Sequence, residues 1–181
     1  SDRALHTLIF DDPECRPFYY KNGKSFKDYH KEGEIFWHKY VTYTEGMSDY
    51  WDYSFFNVSV IRYADVLLLY AECLNDKGET TEAINIINKV RARVNVPALP
   101  LTMSKAEVLK HLQDKERPCE LALEGSRWYD LVRWGIVEET LKAHNKPFVE
   151  NYVDTKHQLF PIPHSEFLLN PDWEQNPNYS K

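Results

Sequence analysis

The stretch that most limits the fold is 60–97, "VIRYADVLLLYAECLNDKGETTEAINIINKVRARVNVP". Apolar residues recur at helical spacing on both sides of the turn signal "NDKGE". The pattern predicts one helix from about Tyr63 to Asp76 and a second from about Thr80 to Val94. Gly78 suits the end of the first, where a left-handed residue is often needed, and Pro97 stops the second. The spacing also fits a tetratricopeptide-like helical hairpin of about 34 residues. Leu67, Tyr70, Ala71, Leu74, Gly78, Ala83, Ile87 and Val90 fall on the positions where the two helices would meet. Ala71 and Ala83 are the informative pair, because small side chains let the helix backbones approach. One such unit cannot bury its core alone, so it must stack on other helices.

A third helix is predicted from "SKAEVLKHLQDKER", where Ser104 and Glu107 form a capping box. It runs on toward Glu124 with a kink or restart at Pro118, which removes a hydrogen bond and clashes with the preceding turn. Further helices are expected over Ser126–Trp134 and "VEETLKAH". Residues 1–60 read differently, as aromatic-rich loops with a few short strands, one near 35–43. The tail, with Pro161, Pro163, Pro171 and Pro177, excludes a long regular helix and reads as an extended strap. The expected fold is therefore mainly α, in four regions: an aromatic loop region 1–60, a tetratricopeptide-like hairpin 61–97, further helices 102–145 and a Pro-rich C-terminal strap 146–181.

Composition narrows the function classes. With 181 residues the chain is one domain or part of one, and its net charge of −6 argues against a nucleic-acid partner. The longest apolar run, "VLLLYA", is far shorter than the ~20 residues of a spanning helix. The opening "SDRALHTLIF" reads as mid-domain, so a longer parent is expected. Cys15, Cys73 and Cys119 are widely spaced and form no CxxC pair; Cys73 and Cys119 are expected to be small buried hydrophobes.

Two stretches invite a reading as sites. In "ERPCELALEGSRWYDLVRWG" Glu116, Glu120 and Glu124 lie four residues apart on one helical stripe. Glycoside hydrolysis needs carboxyls facing each other across a bond, and neighbours on one helix point the same way. The spacing instead suggests i, i+3 ion pairs Glu124–Arg127, Arg127–Asp130 and Asp130–Arg133, with Leu121, Trp128 and Leu131 packing below. No HExxH, EF-hand, Gly-rich phosphate loop or GxSxG elbow occurs, so neither a metal nor a cofactor nor a catalytic residue is expected. The other stretch, 36–56, holds nine aromatics in 21 residues, interleaved with Asp49, Asp52 and Asn57. Aromatic faces stack on sugar or peptide C–H faces while polar tips fix orientation, although any single aromatic is more often a core residue. Trp37, Tyr50, Trp51 and Tyr53 are the candidate ligand-binding residues.

Six motifs in order resemble the SusD/RagB family of outer-membrane nutrient-binding lipoproteins of Bacteroidetes. "DRALHTLIF" is similar to its DpR…T segment and "HKY" (38–40) to its K-Y/F element. "VIRYADVLLLYAECLND" resembles its arginine-led helix, and "AINIINKVRARVNVP" the helix that follows. "ERPCELALEGSRWYDLVRWG" resembles its ER..EL..EG.R..DL.RWG signature, and "LFPIPHSE" with "NPDWEQNPNY" its closing segment. Pro118 and Cys119 depart from the helix-friendly residues usual there, and Asn178 stands where the family has glycine.

The resemblance places the chain in the C-terminal portion of a longer protein, with a signal peptide, a lipidated cysteine and more helix pairs upstream. It implies a cell-surface binder that captures a glycan or peptide and delivers it to a TonB-dependent SusC-like transporter, with no hydrolase activity. Membrane association would come through an N-terminal lipid anchor outside this chain. The resemblance puts ligand contacts in variable loops, so no ligand residue carries over by position. The rival reading is a tetratricopeptide-like protein-interaction module with no transport role; a glycosidase is disfavoured by the carboxylate geometry.

Overall fold

A computed structural model describes residues 2–12, 25–28, 30–40, 57 and 59–180. It divides into two compact units, Ser1–Ser126 and Arg127–Lys181. The expected mainly helical architecture is present.

The first unit is built on the hairpin of α2 (Tyr63–Asp76) and α3 (Thr80–Ala92). Gly78, at φ +89°, turns the chain between them. Ala64, Leu68, Ala71 and Leu74 of α2 and Ala83, Ile84, Ile87 and Val90 of α3 share one buried core with Val108 and Leu112. Buried Asn75 ties the corner together: its amide nitrogen donates to the Lys105 carbonyl at 2.9 Å and its oxygen accepts from the Thr80 hydroxyl at 3.1 Å. The second helix stops two residues earlier than expected, before Asn95 takes a left-handed φ of 49°.

Helix α4 (Lys105–His111) opens with the expected capping box on Ser104 and Glu107. The restart at Pro118 has a defined form. Leu112–Glu116 widens into a π turn, closed by an Arg117 N–H bond to the Leu112 carbonyl, and α5 (Arg117–Glu120) follows with the proline in its first turn. A wider turn moves the upstream carbonyls out of the path of the proline ring and needs no donor from it. This helix ends at Glu120 and does not reach Glu124, because Leu123 (φ 64°) and Gly125 (φ 76°) are left-handed.

At the start of the chain α1 (Asp2–Thr7) leads into β1 (Leu8–Ile9), which pairs antiparallel with β2 (Phe36–Trp37) in the register Leu8–Trp37 and Ile9–Phe36. Phe36 leans toward Phe26 and His30, at ring-centroid distances of 6.2 and 4.2 Å. Its neighbour Trp37 points to the other face, as strand alternation requires.

Cys73 and Cys119 are both exposed, which corrects the expectation that they are buried. Helix α2 is apolar on two sides. The face that meets α3 is buried, whereas Tyr63, Val66, Tyr70 and Cys73 lie on a second stripe that faces outward in this chain.

The second unit contains α6 (Ser126–Trp134), α7 (Val137–Ala143), α8 (Asp154–His157) and α9 (His164–Leu169). Leu131, Val137 and Leu141 form its small core, with Trp128 and Tyr152 packed against it. The expected strap carries a 3-10 turn at Pro147–Asn151 and the short α8 before the six-residue α9 between its prolines, and the Gln175 side chain fastens Ile162 by bonds to both its N–H and its carbonyl. Asn178 takes the left-handed conformation (φ 65°) that the glycine-for-asparagine comparison anticipates.

Candidate functional site

Glu116, Glu120 and Glu124 form a carboxylate ladder that collects cations from four separate segments. Glu116 is fully buried. Its carboxylate accepts from Arg3 Nη2 at 2.6 Å, Arg91 Nη1 at 2.5 Å and His111 Nε2 at 2.9 Å. An ionised carboxylate only accepts, so His111 Nε2 is the donor to Glu116, although Arg91 Nη1 also lies 3.3 Å from that nitrogen. Burial alone would push the Glu116 carboxyl up. The His111 bond, the charge of Arg3 and the bonds from Arg3 and Arg91 overcome it and hold the group at about 2.

Glu120 receives three guanidinium groups: Arg93 at 2.6 Å, Arg62 at 3.0 Å and Arg3 at 3.2 Å. The Arg3 contact is a charge contact, since its buried Nε makes no hydrogen bond. Glu124 pairs with Lys39 and with Arg62 Nε at 2.8 Å. Burial opposes ionisation at Glu124 too, and the bonds from Arg62 and Lys39 lower its pKa in spite of that. Arg62 Nη2 and Lys39 Nζ both also donate to the Glu120 carbonyl, at 3.0 and 3.1 Å, an oxygen freed by the end of α5. A further pair, Arg117–Asp65 at 2.8 Å, joins α5 to α2.

The glutamates thus brace a scaffold, as the sequence suggests, but through different partners. The expected continuous helix is interrupted between Glu124 and Arg127, since α5 ends at Glu120 and α6 starts at Ser126. Asp130–Arg133 does form, at 3.0 Å. Among the described residues no group of His, Cys, Asp and Glu is placed to hold a metal ion, and no helix is long and apolar enough to cross a membrane.

Two cavities flank the ladder. The first, about 680 Å³, runs past Trp37 and the apolar surface of Leu8, Leu99 and Ala122 to a polar end at His111 and Lys115. Trp37 is half exposed, at 51%. Its position is fixed from behind: the His38 N–H donates to the Thr7 carbonyl at 2.9 Å, and His38 Nδ1 lies 2.7 Å from the Leu5 carbonyl. An indole held at the mouth of a largely apolar hollow can stack on a flat apolar face. Tyr50, Trp51 and Tyr53, the other expected ligand residues, lie outside the described residues. The second cavity, about 490 Å³, is polar, and Lys39, Tyr40, Ser59, Arg62 and Arg93 line it. Sequence reasoning missed this group. Its only local signal is Arg91 and Arg93 two residues apart, on a helix whose arginines have no acidic i, i+4 partner.

These features define a helical scaffold with ligand-sized hollows beside a strand-borne tryptophan. The chain belongs to the SusD family, whose sequence pattern matches residues 17–179. It is 37% identical to SusD-like protein P38 of Formosa agariphila over 130 residues, 68% of this chain and 25% of that protein. SusD-like protein P2 of the same organism is 31% identical over 131 residues, 68% of this chain and 26% of the relative. Among solved structures, a SusD superfamily protein from Bacteroides vulgatus aligns with 98% of this chain and 39% of its own, at a TM-score of 0.76 and 29% identity. A SusD homologue from Bacteroides thetaiotaomicron aligns with 66% of this chain and 26% of its own, at a TM-score of 0.55 and 35% identity. The chain spans about a quarter of the length of these curated relatives.

Proposed function

We propose that this chain is part of a nutrient-binding protein of the outer-membrane surface that captures a glycan and delivers it to a TonB-dependent SusC-like transporter. Family membership carries the reading. In this reading the protein is a binder and not an enzyme, and a lipid anchor outside this chain holds it at the membrane. Trp37 is the residue in the described structure best suited to the task. Its exposed ring borders a hollow large enough for a short oligosaccharide, and the strand pair beneath holds it without help from the ligand. Preorganised aromatic faces lose little conformational entropy on binding. Tyr50, Trp51 and Tyr53 are the further ligand-binding candidates on the sequence, each to be tested by its own alanine variant.

A glycan array probed with the full-length protein tests capture, followed by titration of the best ligand into wild type and Trp37→Ala. The variant is expected to bind about five- to thirtyfold more weakly, since loss of one stacking face costs about 1–2 kcal/mol. Equal affinity would remove Trp37 from the site.

A further inference from the structure

The apolar hollow that Trp37 borders has one acceptor that the scaffold leaves open. His111, the last residue of α4, and Glu116 are five residues apart. The hydrogen bonds of the π turn over Leu112–Glu116 also span five residues, so the two side chains meet on one face. His111 Nε2 lies 2.9 Å from the Glu116 carboxylate and donates to it. In a neutral imidazole a proton on Nε2 leaves Nδ1 with a lone pair, free to accept. That Nδ1 makes no hydrogen bond among the described residues, and it is not sealed from solvent. The ring itself is held in place. Its side chain is only 12% exposed, and Arg3 and Arg91 fix the carboxylate it rests on.

The rest of the wall gives this atom its weight. Leu99, Pro118 and Ala122 offer apolar surface. Arg3, Arg91 and Lys115 carry donors and no acceptor, and the indole of Trp37 can only donate. Glu116 is fully buried, and its oxygens already take three donors. Thr7 turns its hydroxyl proton to the Arg3 carbonyl, at 2.7 Å. His111 Nδ1 is therefore the strongest open acceptor among the described side chains of this wall. A hydroxyl that leaves water for such a wall needs an acceptor, because a polar group left unpaired there is costly. We infer that a glycan bound in this hollow donates one of its neutral hydroxyls to His111 Nδ1, and that His111 sets which hydroxyl pattern is accepted. A sugar carries both features, an apolar ring face for Trp37 and a hydroxyl edge for His111. The inference rests on the capture function proposed above and names a specificity-determining residue for it. A fixed acceptor rejects a sugar that lacks the matching hydroxyl, because Nδ1 then loses water without gaining a partner.

The full-length protein is titrated with neutral trisaccharides of glucose, galactose, mannose and xylose. The tightest is measured again with His111→Phe, with His111→Asn and as each of its monodeoxy analogues. Both variants lose the bond to Glu116, so a purely structural role moves both alike. They differ in recognition: the asparagine side-chain oxygen can stand in for Nδ1, and phenylalanine has no acceptor. His111→Phe is expected to bind about three- to tenfold more weakly, the size of one neutral hydrogen bond, and His111→Asn to stay within about twofold of wild type. On wild type, one deoxy analogue should lose the same factor, a readout that needs no variant to fold. His111→Phe should bind that analogue and its parent alike. If none of the trisaccharides binds, if the two variants bind alike, or if no deoxy analogue is weakened on wild type, the inference is overturned while capture stands on the glycan array. If the array is empty too, both readings fall.

Discussion

Replacing Glu116 by glutamine should cost about 3 kcal/mol of stability at neutral pH and almost nothing in strong acid. Glutamine has the shape of a protonated glutamic acid, so the variant mimics wild type after acid titration. The folded structure holds the Glu116 carboxyl at about 2, against an ordinary 4.5. At about 1.4 kcal/mol per pKa unit, that depression contributes about 3 kcal/mol. A second route gives the same size: breaking a buried ion pair from one side costs about 3–5 kcal/mol, because the abandoned charges, here Arg3 and Arg91, stay buried. The sign follows from the direction of the shift. A depressed carboxyl contributes its full stability above 4.5 and loses it as pH falls toward 2. Urea unfolding of wild type and Glu116→Gln at pH 7 and pH 2.5 measures both limits. The gap should be about 3 kcal/mol at pH 7 and below about 1 kcal/mol at pH 2.5, with the melting temperature lowered by about 6–12 °C at pH 7. A gap under about 1 kcal/mol at pH 7, or one of equal size at both values, would refute the view that Glu116 anchors the ladder as a charge.

Two further substitutions test the hairpin and its neighbour. Ala83→Leu, at a fully buried position between α2 and α3, should destabilise by about 1–3 kcal/mol in a thermal melt, because the helices cannot part without opening the shared core. Ser104→Ala removes the acceptor for the Glu107 N–H and should cost about 1 kcal/mol, read as a lower urea midpoint at unchanged slope.

The elements that were legible in the sequence are those whose causes are local. The α2–α3 hairpin follows from helical periodicity and Gly78, and α4 from its capping box. The ladder was legible only in part. The i, i+4 spacing points to three carboxylates acting together, but their partners come from far along the chain: Arg3 is 113 residues from Glu116, and Lys39 is 85 from Glu124. Local charge rules offer only neighbours, so they propose Arg127 for Glu124 and cannot find Lys39 or Arg62, which pair with it from far along the chain. The cysteines failed for a related reason. Apolar neighbours on a helix say that a stripe seeks cover, yet the stripe holding Cys73 lies opposite the one that α3 covers.

Arginine chemistry explains why three carboxylates at this spacing can organise so much of the unit. Glu116 and Glu120 stand about 6 Å apart along the helical turns, and Glu124 follows just past the end of α5. A lysine offers one point of charge and meets one rung well. A guanidinium presents donors along a rigid fork and can reach two. Arg3 contacts Glu116 and Glu120, and Arg62 contacts Glu120 and Glu124. Each bridging arginine therefore fixes the spacing of the rungs as well as its own segment, so α1 and the start of α2 are held to one common edge. Trp37 inherits that order through the bonds from His38 to Leu5 and Thr7 on α1. A stacking surface of this kind needs no ligand to shape it. Substitutions in the ladder should then weaken binding only by loosening the scaffold, whereas substitution at Trp37 should change binding with stability kept. That separation lets one set of variants, measured for both unfolding and affinity, tell scaffold from recognition.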